Sequence, residues 1–240
     1  MKLLDLTLDQ VSGNLALDEA LLEMAESAAA PLEIFRIWES PQLAAVVGRS
    51  SKVRNEVNLE VCSQREIPVL RRCSGGASVL IGPGCLMYAV VLSYERRPGL
   101  RSIEEAHRFV LGRIAAAVAP LVSAEVKLLG TSDLAIRDCK FSGNSLRCRR
   151  THLLYHGTVL YGFPIALIDR CLLTPPRQPE YRAGRAHGQF VANVSVPVDT
   201  LRRALIDAWP SPDELIDWPR EYTQKLVSQR YGNDEWNLSR

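Results

Sequence analysis

None of the six cysteines in this 240-residue chain forms a CxxC pair or falls at metal-ligand spacing with the four histidines. A structural zinc site is therefore not expected, and reduced thiols in a cytosolic compartment are the default. Charge of one sign is lacking too: 29 basic against 27 acidic residues leave a net +2. That balance carries no nucleic-acid or membrane signature, although arginines concentrate between Arg137 and Arg150. No apolar run reaches the roughly 20 residues that cross a bilayer. The opening Met1-Lys2-Leu3-Leu4-Asp5-Leu6 meets charge too early for a signal peptide. Repeats, low-complexity tracts and long linkers are absent. A cytoplasmic globular protein is expected, with one large domain and at most a small appendage.

Against these absences one stretch stands out, Arg71-Arg72-Cys73-Ser74-Gly75-Gly76-Ala77-Ser78. Apolar strand patterns flank it, Val69-Leu70 before and Val79-Leu80-Ile81 after. Two glycines let a backbone approach a ligand closely. Successive N–H groups in such a turn form a concave anion site, and arginine supplies planar, permanently charged forks for carboxylate or phosphate. The plainer alternative is a β-hairpin with a tight turn and surface arginines.

The remaining pattern reads as α+β. An amphipathic helix is expected over residues 12–28, capped by Ser12 and carrying Asp18-Glu19 in its early turns. Strands are expected at 33–38, 43–47, 67–70, 86–92, 126–129, 134–136, 141–147 and 153–160. Helices are expected at 55–64, at 102–119 behind a Ser102-Ile103-Glu104-Glu105 capping box, at 164–172, at 200–209 and at 212–231. Strands arrive in adjacent groups with helices between, so the sheet should be mixed and mostly antiparallel.

A second stretch follows about seventy residues after the first. Asp133-Leu134-Ala135-Ile136, a turn at Arg137-Asp138, and Lys140-Phe141-Ser142-Gly143-Asn144 read as a hairpin, followed by a strand with His156-Gly157-Thr158. Taken in order, Arg72-x-Ser74-Gly75-Gly76, Asp133-Leu134, Lys140-x-Ser142-Gly143 and His156-Gly157-Thr158 resemble the catalytic domain of lipoate–protein ligases. That domain is shared with octanoyltransferases and biotin–protein ligases. The similarity spans roughly residues 14–193, with Arg36-x-Trp38 and Gly48-Arg49 included. Four ordered motifs are far more specific than one.

The resemblance implies a class II synthetase-like fold with a seven-stranded, largely antiparallel sheet flanked by helices. It would place the catalytic domain at 1–195 and a helical extension, not a full accessory domain, at 196–240. It also implies ATP-dependent activation of lipoate or octanoate as acyl-AMP, with Mg²⁺ accompanying the triphosphate. The acyl group would pass to a lysine on a lipoyl acceptor domain, of a 2-oxoacid dehydrogenase or a glycine-cleavage H protein. Lys140 would be the catalytic cation bridging acyl carbonyl and phosphate. Arg72, Ser74, Gly75, Gly76, Ala77, Asp133, Ser142, Gly143 and His156 would surround the ligands. No protein-held metal is implied. Taken singly, Lys140 could be a solvated charge, Asp133 a turn cap and His156 a satisfied half-buried histidine. Arg147, Arg149 and Arg150 read as a solvated edge, or as a face for an acidic acceptor.

Some residues depart from the ligase pattern. Leu80-Ile81-Gly82 stands where many ligases carry His-Asp, and Ala77 replaces a third glycine. Gly82-Pro83-Gly84 is closer to octanoyltransferases, which need no ATP and hold the acyl group as a cysteine thioester. Cys171, Cys139 and Cys73 are the thiols considered for that role. Tyr181, Arg182, Arg185 and His187 could form a lid or bind the acceptor. The short C-terminal region leaves open a weakly active subunit that needs a partner. A biotin-ligase Gly-Arg-Gly-Arg loop is absent.

Overall fold

The computed structural model describes residues 1–210 and 213–240. The chain opens with β1 (Lys2–Asp5), α1 (Val11–Ser27), β2 (Ile34–Glu39) and β3 (Ala44–Val47). Two short helices, α2 (Val53–Glu56) and α3 (Leu59–Gln64), lead to β4 (Val69–Arg71), β5 (Val79–Ile81) and β6 (Cys85–Ser93). After α4 (Ile103–Val118) come β7 (Val126–Leu129), β8 (Asp133–Ile136), β9 (Cys139–Cys148) and β10 (His152–Leu160). The chain ends with α5 (Ala166–Cys171), α6 (His187–Phe190), α7 (Val198–Asp207), β11 (Asp213–Glu214), α8 (Arg220–Leu226) and α9 (Asp234–Asn237).

Among the described residues the main sheet has eight strands, in the order β11-β1-β2-β6-β10-β9-β8-β7, against the seven expected. The eighth is β11, which pairs parallel to β1 within the region read as a helix from Pro212. Pro212 itself lies outside the described residues, and the helical part starts at Arg220, after the break at Pro219. A second sheet of three strands runs β4-β3-β5.

Period-2 alternation decides what faces what. On β6, Leu86, Tyr88, Val90 and Leu92 join one core with Val110 and Ile114 of α4 and Leu201 and Leu205 of α7. The intervening Ala89 and Val91 pack on Leu17, Leu21 and Leu22 of α1, and Cys85 and Met87 pack toward the small sheet. Buried on both faces, β6 is a continuous apolar run. Fully burying a leucine-sized side chain contributes about 1.5–3 kcal/mol, so this central strand fixes the layering. The layers are α4 and α7, the main sheet, then α1 with the small sheet.

Several local expectations are corrected. Residue 10, not Ser12, is the N-cap of α1, and Gln10 makes no side-chain cap bond. Nor is α1 a one-faced amphipathic helix. Its Asn14, Asp18 and Glu19 are all buried, because the main sheet, the small sheet and the C-terminal helices enclose it. The helix expected over 55–64 is broken at Val57, which bridges to Leu172, and restarts when Asn58 accepts the Val61 N–H. The Ser102 hydroxyl does cap α4 through the Glu105 N–H, while the Glu105 carboxylate pairs with Arg108. Arg147 is no solvated edge: it lies half-buried between Glu19 and the Cys73 carbonyl.

Candidate active site

The glycine turn is not a hairpin. Strand β3 inserts between β4 and β5, parallel to the first and antiparallel to the second. The chain between them, residues 72–78, must therefore cross the end of β3, and the turn opens over the main sheet. At Gly76 the backbone reaches φ +88°, a left-handed conformation that glycine adopts without strain. The buried Arg72 guanidinium holds the crossing from beneath: Nε donates to Ser74 Oγ at 3.2 Å, Nη1 to Val46 O at 3.1 Å, and Nη2 to Gly75 O and Ala77 O. Burial pulls the Arg72 pKa down to about 10, which leaves it charged at neutral pH.

Every carbonyl of the turn has a donor. Cys73 O accepts from Arg147, Ser74 O from the Arg49 N–H, Gly75 O also from Ser145 Oγ, and Gly76 O from Ser51 Oγ. The N–H groups of Gly75, Gly76 and Ala77 meet no acceptor among the described residues. With the carbonyls turned into the protein, what the turn offers a ligand is donors.

Ser74 continues into a buried chain. Its Oγ lies 2.5 Å from His156 Nε2, His156 Nδ1 lies 3.4 Å from Asp18 Oδ2, and Asp18 Oδ1 accepts from Arg36 Nη1 at 2.5 Å. Both ring nitrogens of His156 are thus committed, and Ser74 is only 2% exposed. The arrangement resembles a nucleophile–base–acid triad in order, but its serine is shut away from the cavity. Its evident effect is to lock the turn onto β10 and α1.

Across the cavity, β8 and β9 form the expected hairpin. Arg137 and Asp138 both take positive φ, +47° and +60°, as a two-residue type I′ turn requires. Asn144 ties its far end, donating to Ser132 O and Ser142 Oγ and accepting from Tyr88 OH. Lys140 lies back across Gly143, where a Cβ would stand 2.7 Å from its Cε and 2.8 Å from its Nζ. This places Lys140 Nζ 2.7 Å from Asp133 Oδ1, while Tyr181 donates to Asp133 Oδ2 at 2.8 Å. Burial and the neighbouring carboxylate push the Tyr181 phenol up, so it remains a donor.

The turn, the hairpin and residues 177–179 enclose a cavity of about 350 Å³, apolar at Leu15, Val46, Val79, Ile81 and Met87 and polar at Lys140, Asp133, Ser145 and His156. A smaller cavity of about 120 Å³ adjoins it, with Lys140, Asp133, Gly143 and Thr158 in both linings. Leu80, Phe141, Leu160, Ile168 and Leu172 wall the smaller one, which Ser142, Arg182 and His187 also reach. Of the residues expected around the ligands, Arg72, Gly76, Ala77, Asp133, Lys140, Ser142, Gly143 and His156 line one or both cavities, and Ser74 and Gly75 lie behind them in the turn. Arg185 does not reach either cavity; it stitches the loop through Asp138 O and Tyr181 O. Cys171 is fully buried beside Cys62, away from Lys140. Sequence reasoning gave no site role to Asp18, placed only in the early turns of the first helix, or to Arg177, which lines both cavities. Nothing in the pattern around Arg177 distinguishes it from any loop arginine.

A half-buried cation beside an acid, donors along a glycine turn and an apolar recess together could accommodate an acyl chain with an anion at its head. The α+β architecture is that of solved lipoate–protein ligases. A lipoate–protein ligase A crystallised with ATP superposes at TM-score 0.83, covering 99% of this chain and 98% of that one at 22% identity. The bi-partite lipoate protein ligase of Thermoplasma acidophilum superposes at 0.82, covering 99% and 95%, also at 22% identity. By sequence, residues 10–208 match the family model described as the lipoyl protein ligase A/B catalytic domain. The chain belongs to that family. Its relatives include the octanoyltransferase LipM of Brevibacillus brevis, 26% identical over 95% of this chain and 94% of that protein. Lipoate–protein ligase 1 of Staphylococcus aureus is 22% identical over 95% of this chain and 70% of its own.

Proposed function

We propose that this protein activates lipoate or octanoate with ATP and transfers the acyl group to a lysine of a lipoyl acceptor domain. The observation that carries this reading is Lys140, whose ammonium stands in the wall common to both cavities and opposite the unpartnered amides of the turn. In the first step a carboxylate oxygen attacks the α-phosphorus and pyrophosphate leaves. In the second, the acceptor ε-amine attacks the acyl carbonyl and AMP leaves. Both transition states place negative charge on oxygens, which fixed donors in a water-poor site stabilise. Lys140 and the Gly75–Ala77 amides are such donors; Asp133 keeps the ammonium in place between turnovers. The apolar end of the larger cavity suits the acyl chain. Strand β5, an edge strand, brings Val79 and Leu80 to the smaller cavity, which suits the nucleobase. Among the described residues no cluster of three acidic, histidine or cysteine side chains could hold a metal. Mg²⁺ fits here as an ion carried by the triphosphate, with Asp133 the carboxylate at hand.

The transferase relatives favour a second reading, in which octanoate arrives on a carrier protein and rests on a cysteine. Burial raises the pKa of Cys171 and pushes Cys73 to about 12, so neither is a ready thiolate. Cys139, partly exposed and next to Lys140 in the chain, is the thiol left for that role. A bi-partite arrangement like that of the Thermoplasma ligase would leave room for an accessory subunit with either chemistry. The acceptor is expected to be a lipoyl domain of the 2-oxoacid dehydrogenase or H-protein type.

ATP–pyrophosphate exchange with lipoate and with octanoate tests the primary reading. Exchange should require the free acid and fall by about 10²–10³ in Lys140→Ala, the loss typical of one transition-state donor. If the wild-type chain exchanges with neither acid, the stand-alone ligase reading is lost. Octanoyl transfer to Cys139 from a carrier protein would then establish the alternative.

A further inference from the structure

The C-terminal segment makes a set of polar contacts that the proposed chemistry does not use. Strand β4 lies at the edge of the small sheet, so the outward N–H and C=O of Arg71 have no strand to pair with. Two side chains from 165 and 166 residues further along take that place: Trp236 Nε1 donates to Arg71 O at 2.9 Å, and Asn237 Oδ1 accepts the Arg71 N–H at 2.9 Å. Trp236 O also accepts from Arg71 Nε at 3.1 Å. Arg71 is thus held by its backbone and its side chain together.

Arg71 is also where the support of the glycine turn begins. It is fully buried, and its Nη1 gathers three carbonyls of one short loop: Gly48 O at 2.8 Å, Arg49 O at 3.2 Å and Ser51 O at 2.9 Å. That loop in turn fixes the carbonyls of the glycine turn, the Arg49 N–H donating to Ser74 O at 2.8 Å and Ser51 Oγ to Gly76 O at 3.2 Å. The two backbones lie so close that a Cβ on Gly48 would stand 2.0 Å from Gly76 O. A shift of Arg71 therefore moves the loop, and the loop sets which way the turn presents its amides.

The segment is anchored next to this support. Arg230 and Tyr231 bond the buried Glu19 of α1 at 2.8 and 2.7 Å, Asn237 Nδ2 donates to Tyr231 O, and the Arg230 guanidinium lies 4.8 Å over the Trp236 ring. Past Tyr231 it buries little apolar surface, since Trp236 is only partly buried and Leu238 is 46% exposed. Its contacts with β4 converge on Arg71. We propose that Trp236 and Asn237 are positioning residues for the glycine turn, acting through Arg71 and the loop 48–51. This rests on the reading above that the Gly75–Ala77 amides stabilise charge in the reaction, and adds to it what keeps them in place.

The test uses Trp236→Phe, which keeps a ring beneath Arg230 and the backbone oxygen for Arg71 but removes the Nε1 donor. Leu205→Ala, on α7 in the opposite layer, controls for general loss of stability. Amide hydrogen exchange at Arg49 and Arg72, whose N–H groups bond Ser74 O and Val47 O, reads the seat of the turn directly. In Trp236→Phe both should exchange about tenfold faster, with the amides of β6 and β10 unchanged. The kcat of pyrophosphate exchange should fall about ten- to a hundredfold, with the KM for the acid little altered. Leu205→Ala should lower the melting temperature without singling out those two amides or lowering kcat. Unchanged protection at Arg49 and Arg72 in Trp236→Phe overturns the proposal, as does a loss spread evenly over the chain or a loosened turn with kcat intact. If the wild type exchanges pyrophosphate with neither acid, the adenylation reading fails by itself. Hydrogen exchange still decides the role of Trp236, and the kinetic comparison is then made on octanoyl transfer.

Discussion

The two walls of the cavity differ in how far their polar groups are already partnered. On the turn side, all five carbonyls of residues 73–77 accept from protein donors, and Arg72 makes four hydrogen bonds to the turn and to β3. On the loop side, the Arg177 side chain makes no hydrogen bond or ion pair with any described residue. The first wall is preorganised, and its offer to a ligand is geometry. The second is receptive, and what it offers is unneutralised charge. Lys140 stands between them, paired with Asp133 yet reaching both cavities. Mutations should therefore damage stability on the turn side and recognition on the loop side.

The largest effect expected from this contrast is on folding. Asp18 is 1% exposed and is the ion-pair partner of Arg36, which is itself fully buried. Asp18→Ala leaves that guanidinium uncompensated, at a cost of about 3–5 kcal/mol, and also removes the partner of His156 Nδ1. Urea denaturation should show the midpoint collapse. A variant as stable as the wild type would mean that the turn does not depend on this buried chain.

Gly143→Ala should do the opposite, sparing the fold and harming the chemistry. The new methyl would meet only the flexible end of Lys140, so the side chain moves and the strand need not. Displacing the ammonium by an ångström or so should lower exchange or transfer by about 10²-fold, with the melting temperature nearly unchanged. Equal loss of both would show that Gly143 serves the sheet and not the lysine.

Much of this was legible in the sequence, for physical reasons that differ by element. The β8–β9 hairpin could be read because turn chemistry and alternation agree at Arg137-Asp138 and Phe141. β6 could be read because a strand buried on both faces leaves a nearly unbroken apolar run, and β10 because Leu153-Leu154-Tyr155 and Val159-Leu160 flank the His156-Gly157-Thr158 motif. Lys140, Gly143 and the glycine turn were legible because their order is a shared motif. The insertion of β3 between β4 and β5 was not, since no local pattern records which strand pairs with which. The polar side of α1 was misread for a related reason. Asp18 and Glu19 look solvent-facing until Arg36, Arg230 and Tyr231 arrive from 18, 211 and 212 residues away. β11 eluded the reading because two residues carry no periodicity.

Arg177 gives the mildest and cleanest test of the receptive wall. It is exposed, lines both cavities and has no hydrogen-bond or ion-pair partner among the described residues to lose. Arg177→Ala should therefore change stability by no more than about 0.5 kcal/mol, the range of ordinary surface substitutions. Its guanidinium is nevertheless the cation an incoming phosphate group would meet first, whether on a nucleotide or on a carrier's prosthetic arm. Removing it should raise the KM for the phosphate-bearing substrate several-fold, with kcat little changed, because the contact is made equally in ground and transition states. The effect should shrink as salt rises, as expected for an exposed charge. A fall in kcat with KM unchanged would instead put Arg177 on the reacting atoms, and the division into a fixed wall and a receptive wall would have to be redrawn.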